Sequence, residues 1–200
     1  MDAAFRSRSP APPGSVGRLP DEAALVALAQ VDRRAFAPLY VQFLDPVHQY
    51  CYRRLGSREA AEDATSLIFE RVLKALPGYR GGLFRAWLFT IAHNVITDSY
   101  RSLREQEPLD AADEVADPAL QPEALAVLAD EQRLLLAVLP LLPIDQRRVM
   151  ELRLSGLPST EVATILGRTP ESVRTLQRRA VTRLQTLLAV PTIAREARDA

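Results

Sequence analysis

From Asp21 onward the apolar positions step by three and four residues, a spacing that predicts a succession of amphipathic helices. Asp21 and Glu22 suit a helix start, and Leu25, Leu28 and Ala29 share one face. Asp32 is a second candidate cap, leading into Phe36, Leu39, Tyr40 and Phe43, with Pro38 and Pro46 expected to kink or interrupt that run. Gly56-Ser57 closes the segment. Ser57 is expected to cap a helix from Arg58 to Leu76, whose stripe is Ala61, Ala64, Ile68, Val72 and Ala75. Pro77 and Gly78 stop it, and the loop Tyr79-Arg80-Gly81-Gly82 precedes a helix from about Leu83 to Arg104, striped by Trp87, Leu88, Ile91, Val95 and Ile96. No convincing run of strand alternation occurs, so the first half is expected to be all-α.

Two stretches break the pattern. Residues 1–20 hold Pro10, Pro12, Pro13 and Pro20 with Gly14 and Gly17, and read as a disordered segment. Residues 105–122 set Pro108, Pro118 and Pro122 among acids with no apolar stripe, and read as a linker extended by self-repulsion. Helices are then expected near 123–139, 145–155, 159–166 and 170–188, with fraying from Pro191. The expected architecture is all-α: two small helical domains, 21–104 and 123–190, joined by an acidic flexible linker and followed by a tail, 191–200. The C-terminal domain is expected to be a helix-turn-helix.

Composition changes this picture little, but charge distribution changes it more. With 48% hydrophobic and 25% charged residues the chain is ordinary for a globular protein. No stretch approaches the roughly 20 apolar residues of a membrane span. The prolines behind Arg6 and Arg8 stand where a signal peptide needs an apolar segment, so the chain is expected to stay in the cytoplasm. The formal net charge is zero, yet nine acids and no cation lie between Arg104 and Arg133, which leaves two basic regions flanking an acidic connector. Lys74 is the only lysine. Arginine's planar fork suits phosphate and guanine, although the codon bias of a GC-rich genome explains the preference equally. Cys51 is the single cysteine, so no intrachain disulfide forms, and its place in Tyr50-Cys51-Tyr52 favours packing over nucleophilic chemistry. His48, His93 and Cys51 fall short of four structural zinc ligands, so no metal or other cofactor is expected.

The strongest local signal spans Ser159–Leu188. Ala163, Gly167 and Val173 have helix-turn-helix spacing: a small residue where helices touch, a glycine in the turn and an apolar anchor beyond it. Thr169 is expected to cap the second helix, Pro170 to occupy its first position and Glu171 to complement its dipole. Val173, Leu176, Ala180, Leu184 and Leu187 form the buried stripe. The other side carries Arg174, Gln177, Arg178, Arg179 and Arg183, which with Thr169, Ser172 and Thr175 are candidates to hold phosphates and read base edges. A solvated basic helix on a bundle would show the same residues.

The segment from Leu142 to Leu188, with its paired upstream run Leu142-Pro143-Ile144-Asp145-Gln146-Arg147-Arg148-Val149-Met150-Glu151-Leu152-Arg153, resembles the fourth conserved region of bacterial sigma factors, especially the extracytoplasmic-function (ECF) group of the sigma-70 family. Ala61-Glu62-Asp63-Ala64 through Phe69-Glu70-Arg71-Val72 resembles the second region, and the run from Phe84 to Arg101 resembles its promoter-melting part. The likeness covers roughly 21–104 and 123–188. It implies a factor that binds core RNA polymerase through the clamp helices of the largest subunit and the flap region. Such a factor recognises the −35 and −10 promoter elements and promotes melting. An anti-sigma factor is a further partner the resemblance raises, and no enzymatic activity is implied. By position, Asp63, Glu70 and Arg71 become candidate polymerase contacts. Tyr79, Arg80, Phe84, Arg85, Trp87, Asn94, Asp98, Arg101 and Arg104 become candidates for the −10 strand. Trp87 also fits core packing, and Asp98 is spaced to pair with Arg101. The chain departs from the family at Ser66-Leu67, where many members have Gln-Glu, and at Pro158, where a serine usually caps the first helix of the motif.

Rival readings diverge on single features. A response regulator needs an α/β receiver, for which the first half offers no strands. An enzyme needs a phosphate loop, a triad or a ligand cluster, and none is apparent. A helix-turn-helix regulator that does not engage polymerase stays open because of Ser66-Leu67.

Overall fold

The computed structural model describes the backbone of residues 22–106 and 130–196, and side chains of 22–100 and 134–188. The expected disordered segment 1–20, almost all of the acidic linker and the first part of the helix expected at 123–139 lie outside the described residues. Eight α-helices and three short 3-10 turns make up the described chain. They are α1 (Glu22–Val31), α2 (Ala37–Leu55), α3 (Arg58–Ala75), α4 (Phe84–Gln106), α5 (Asp130–Val138), α6 (Ile144–Leu154), α7 (Ser159–Leu166) and α8 (Pro170–Glu196).

Local signals account for most helix ends. Asp32 accepts a hydrogen bond from Arg34 N at 2.9 Å and opens a 3-10 turn, Arg33–Phe36, rather than an α-helix. Pro38 then sits in the first turn of α2, where its missing N–H costs nothing. Pro46 lies inside α2, which continues through it to Leu55, contrary to the expected interruption. The buried neighbours Phe43, Val47 and Tyr50 hold that helix against α3 and α4 strongly enough to absorb a lost backbone bond. Gly56 ends α2 in the left-handed region at φ 68°, and Ser57 Oγ then accepts from Ala60 N to start α3. At the other end of the chain, α8 runs through Pro191 to Glu196, past the expected fraying point.

The helices α1–α4 pack around Leu39, Phe43, Val47, Cys51, Ile68, Val72, Leu88, Phe89 and Ile96, all shut from solvent. Burial pushes the Cys51 thiol up to about 11, which suits packing rather than reactivity. A smaller cluster, Val138, Leu139, Leu142, Ala180 and Leu184, joins α8 to the turn before α6. The larger core does not stop at the end of α4. Val149, Leu152, Leu157, Val162, Ala163 and Val173 belong to the same buried cluster, with α7 packed on α4 and α6 on α2. The two halves are therefore in direct contact, where the sequence suggested separate bodies on an extended tether.

Candidate nucleic-acid interface

The helix-turn-helix forms as its residue types dictate. Gly167 ends α7 at φ 61°, ψ 36°, and Arg168 N donates back to Ala163 O at 2.9 Å. Thr169 Oγ1 accepts from Ser172 N at 3.2 Å and opens α8 with Pro170 in its first turn. Ala163 and Val173 are buried where α7 and α8 meet. Arg168 pairs with Asp145 of α6 at 2.7 Å, tying the turn to the preceding helix. No side chain caps the start of α7 at Pro158; Glu161, one turn in, reaches away from its own helix to Arg85.

Along α8, Arg178, Arg179 and Arg183 are exposed and lack a described ion pair. Arg174 is exposed too, and both its Nε and Nη2 donate to Glu171, at 3.2 and 2.6 Å. That bond holds the Glu171 carboxyl below its usual range, with further help from the charges of Arg174 and Arg178. Ser172, Thr175 and Gln177 are half-buried beside them, and Thr169 is exposed. All eight recognition-helix candidates thus lie on or at the start of one helix, and its arginine face is open.

The first-half candidates divide. Tyr79, Phe84 and Trp87 form an aromatic triad, with Tyr79–Trp87 centroids 5.0 Å apart, Phe84–Trp87 5.5 Å and Tyr79–Phe84 5.9 Å. Phe84, expected to face the DNA strand, is instead only 2% exposed and packs at a tilt against Phe43, centroids 5.6 Å apart. Its ring is a support for the triad. Trp87 and Tyr79 remain half-buried. The loop is fixed from outside: Gln30 Nε2 of α1 donates to Leu76 O and Tyr79 O, and the Tyr79 hydroxyl donates to Gly82 O at 2.9 Å. Gly81 and Gly82 complete the turn at φ 95° and 102°. Arg80 and Asn94 are exposed. Asp98 pairs with Arg71 of α3 at 3.2 Å, so its described partner is not the Arg101 suggested by helical spacing. The side chains of Arg101 and Arg104 lie outside those described.

On α3, Asp63, Ser66, Leu67, Glu70 and Arg71 form an exposed strip. Glu70 accepts a hydrogen bond from Lys74, which holds its carboxyl low. Ser66 Oγ donates to Glu62 O at 3.0 Å, so this substituted position keeps the helix intact.

Arg85 is the candidate in the most constrained setting. Its Nε and Nη2 both donate to Glu161 of α7, each at 3.2 Å, in a fork on a carboxylate that is 5% exposed. Beside it, Arg54 of α2 pairs with Glu151 of α6 at 3.0 Å with both side chains almost sealed, and Arg147 holds the other Glu151 oxygen at 2.8 Å. Burial pulls the Arg54 guanidinium down, but Glu151 more than offsets it and the net shift is upward. Arg54 also lies 5.2 Å over the Tyr100 ring, and its carbonyl accepts from the Tyr100 hydroxyl. Arg53 donates to Ser155 Oγ at 2.7 Å. Periodicity did not reveal these inter-half contacts. The available signal was a glutamate between Val149 and Leu152, on a helix otherwise read by its apolar positions.

Among the described residues no cluster of three or more His, Cys, Asp or Glu is placed to hold a metal, and no helix is long and apolar enough to cross a membrane.

Comparison with known proteins agrees with this geometry. Residues 39–106 match the Sigma-70 region 2 family and residues 132–184 match the Sigma-70 region 4 family. The chain is 37% identical over 173 residues to the ECF RNA polymerase sigma factor BldN of Streptomyces coelicolor, covering 82% of this chain and 64% of that protein. It is 34% identical over 152 residues to the ECF RNA polymerase sigma factor ShbA of Streptomyces griseus, covering 70% of this chain and 80% of the relative. In fold it is similar to RpoE of Bartonella quintana, solved with the anti-sigma factor NepR, with TM-score 0.65, 22% identity, and coverage of 78% of this chain and 97% of that one.

Proposed function

Because the chain belongs to the ECF RNA polymerase sigma factors of the sigma-70 family, we propose that it binds core RNA polymerase in the cytoplasm and directs it to promoters as an initiation factor, not an enzyme. The observation that carries this reading is the presence of both matched regions in one chain and in family order, each folded around its own exposed surface. A regulator that binds DNA without polymerase would need only the second.

The geometry supports a division of labour. The open arginine face of α8, with Arg174, Gln177, Arg178, Arg179 and Arg183 and with Thr169, Ser172 and Thr175 at its start, takes the −35 duplex. Tyr79 and Trp87 offer ring surface to bases of the melted −10 strand, while Phe84 braces them from the core. Arg80, Arg85, Asn94, Arg101 and Arg104 supply donors for that strand, and Asp98 steadies α4 against α3 through Arg71. Asp63 and Glu70 on the exposed strip of α3, with Arg71, meet the clamp helices of the largest subunit, and the second half meets the flap region. An anti-sigma factor is a further partner proposed from the family.

Run-off transcription with purified core polymerase on a duplex promoter library tests the reading. Transcripts that depend on this protein and share two spaced upstream motifs are expected. Sequence-selective DNA binding with no transcript from active core would replace it with the polymerase-independent regulator.

A further inference from the structure

The loop that carries Tyr79 has little packing of its own. Between Leu76, buried at its start, and Phe84, buried at its end, Pro77, Gly78, Arg80, Gly81, Gly82 and Leu83 are all exposed. A Cβ built at Gly78, Gly81 or Gly82 meets nothing within 4 Å, so neighbouring side chains do not wedge the backbone there. Three glycines between Gly78 and Gly82 also give an unrestrained loop wide conformational freedom. Its shape therefore depends on specific bonds.

Two of those bonds come from a single side chain outside the loop. Gln30 Nε2, near the end of α1, donates to Leu76 O at 3.1 Å and to Tyr79 O at 2.7 Å, across 46 and 49 residues. Tyr79 N donates to the same Leu76 O at 3.0 Å, so the two carbonyls are the two ends of one turn. A primary amide has two N–H donors, and Gln30 spends both on this turn. The helix that carries it is itself anchored, through Val26 and Ala29, both buried. α1 also lies before residue 39, where the match to region 2 begins, so no role for Gln30 follows from that match. With the turn fixed, the Tyr79 ring rests 5.0 Å from Trp87 and 5.9 Å from Phe84.

We propose that Gln30 is a positioning residue for capture of the promoter strand: by clamping both ends of the Leu76–Tyr79 turn it presets the Tyr79 ring for the melted −10 strand, without touching DNA itself. The clamp stands on the contacts; its consequence for DNA rests on the function proposed above. A loop that is in place only part of the time binds more weakly in proportion to that fraction. Gln30 removes this loss before the strand arrives.

Gln30→Met keeps the length of the side chain and removes both donors. Trp87 is the only tryptophan, so its emission reports on the loop in the free, full-length protein. In Gln30→Met that emission is expected to shift to longer wavelength and its quenching by acrylamide to rise, with the helical signal retained. The strand probe is a labelled single-stranded oligonucleotide carrying the −10 motif recovered by run-off transcription. Its affinity for holoenzyme, read by anisotropy, is expected to fall about five- to tenfold, as suits the net loss of about one hydrogen bond, while competition for a −35 duplex is unchanged. In a Tyr79→Ala background Gln30→Met should cost nothing further, because the clamp acts through that ring. Adding Gly78→Ala, whose Cβ enters open space at a φ outside the left-handed region, should restore part of the lost affinity by limiting the loop's freedom. Unchanged Trp87 emission overturns the clamp, and equal losses of −10 and −35 binding, which a merely structural glutamine would give, overturn the positioning role. So does a shifted emission with strand affinity lowered by Tyr79→Ala but not by Gln30→Met. A shifted emission with no transcript from active core, or with strand affinity unchanged in both variants, sinks the promoter reading of the loop alone. If Gln30→Met loses helical signal, Gln30→Asn, too short to span both carbonyls yet still polar, decides by the same readouts.

Discussion

A phenyl ring shut from water cannot stack on a base, and the burial of Phe84 redistributes roles among its neighbours. Phe84→Ala is expected to cost about 3–5 kcal/mol of stability, as large-to-small changes in a core do. Tyr79→Ala should leave folding nearly intact and weaken binding of the melted strand by about 1–3 kcal/mol. Thermal melts and anisotropy with a labelled −10 strand on the assembled holoenzyme separate these effects; equal losses in both assays for both variants would contradict the assignment. On α8, Arg178→Ala and Arg174→Ala are each expected to lower upstream promoter affinity by about 1–3 kcal/mol per lost base contact. Unchanged promoter selectivity in both variants, measured by competition between duplexes, would make this face a solvated surface only. Residue type and helical position were enough to find the arginine face, because exposure there follows from the stripe opposite. They were not enough for Phe84. An aromatic at the first turn of a helix is equally apt for core and ligand, and only the ring of Phe43, on a helix well earlier in the chain, decides.

At the scale of elements, turn chemistry was legible and tertiary override was not. Ser57, Gly167, Thr169 and Pro170 act where their types predict because capping is local. Pro46 misleads because packing from α3 and α4, far along the chain, holds α2 together across it. Gly167 offers a clean test of the local kind. Its φ of 61° is unfavourable for a Cβ, yet a Cβ built there meets nothing within 4 Å, so strain alone is at stake. Gly167→Ala is expected to cost about 1–2 kcal/mol, and Gly167→Asn distinctly less, since asparagine tolerates the left-handed region. Urea unfolding of the full chain ranks them. An alanine variant as stable as the native protein would mean the turn readily takes another conformation.

For the whole molecule, the junction of the halves carries the property least visible in the sequence, because a buried charge looks like a surface charge until its partner is known. His93 belongs to that junction. Its Nδ1 lies 3.2 Å from the Tyr50 hydroxyl of α2, and Arg54 of α2 and Arg148 of α6 bring positive charge toward it. Burial above all, then those two arginines, push His93 down to about 4. The unfolded chain, with an ordinary histidine near 6.5, therefore binds the proton first as pH falls. The stabilisation from keeping His93 neutral is complete above about 6.5 and is lost progressively toward 4. Partial exposure tempers the size, leaving roughly 1–2 kcal/mol between pH 7 and 5. The surface carboxylates with lowered values, Glu62, Glu70 and Glu171, stay ionised in the folded protein through that window and add only a small slope near its acid end, where the unfolded carboxylates begin to protonate. His93→Gln keeps an acceptor for Tyr50 and removes the titration, so its stability should vary less between pH 7 and 5 than that of the native chain.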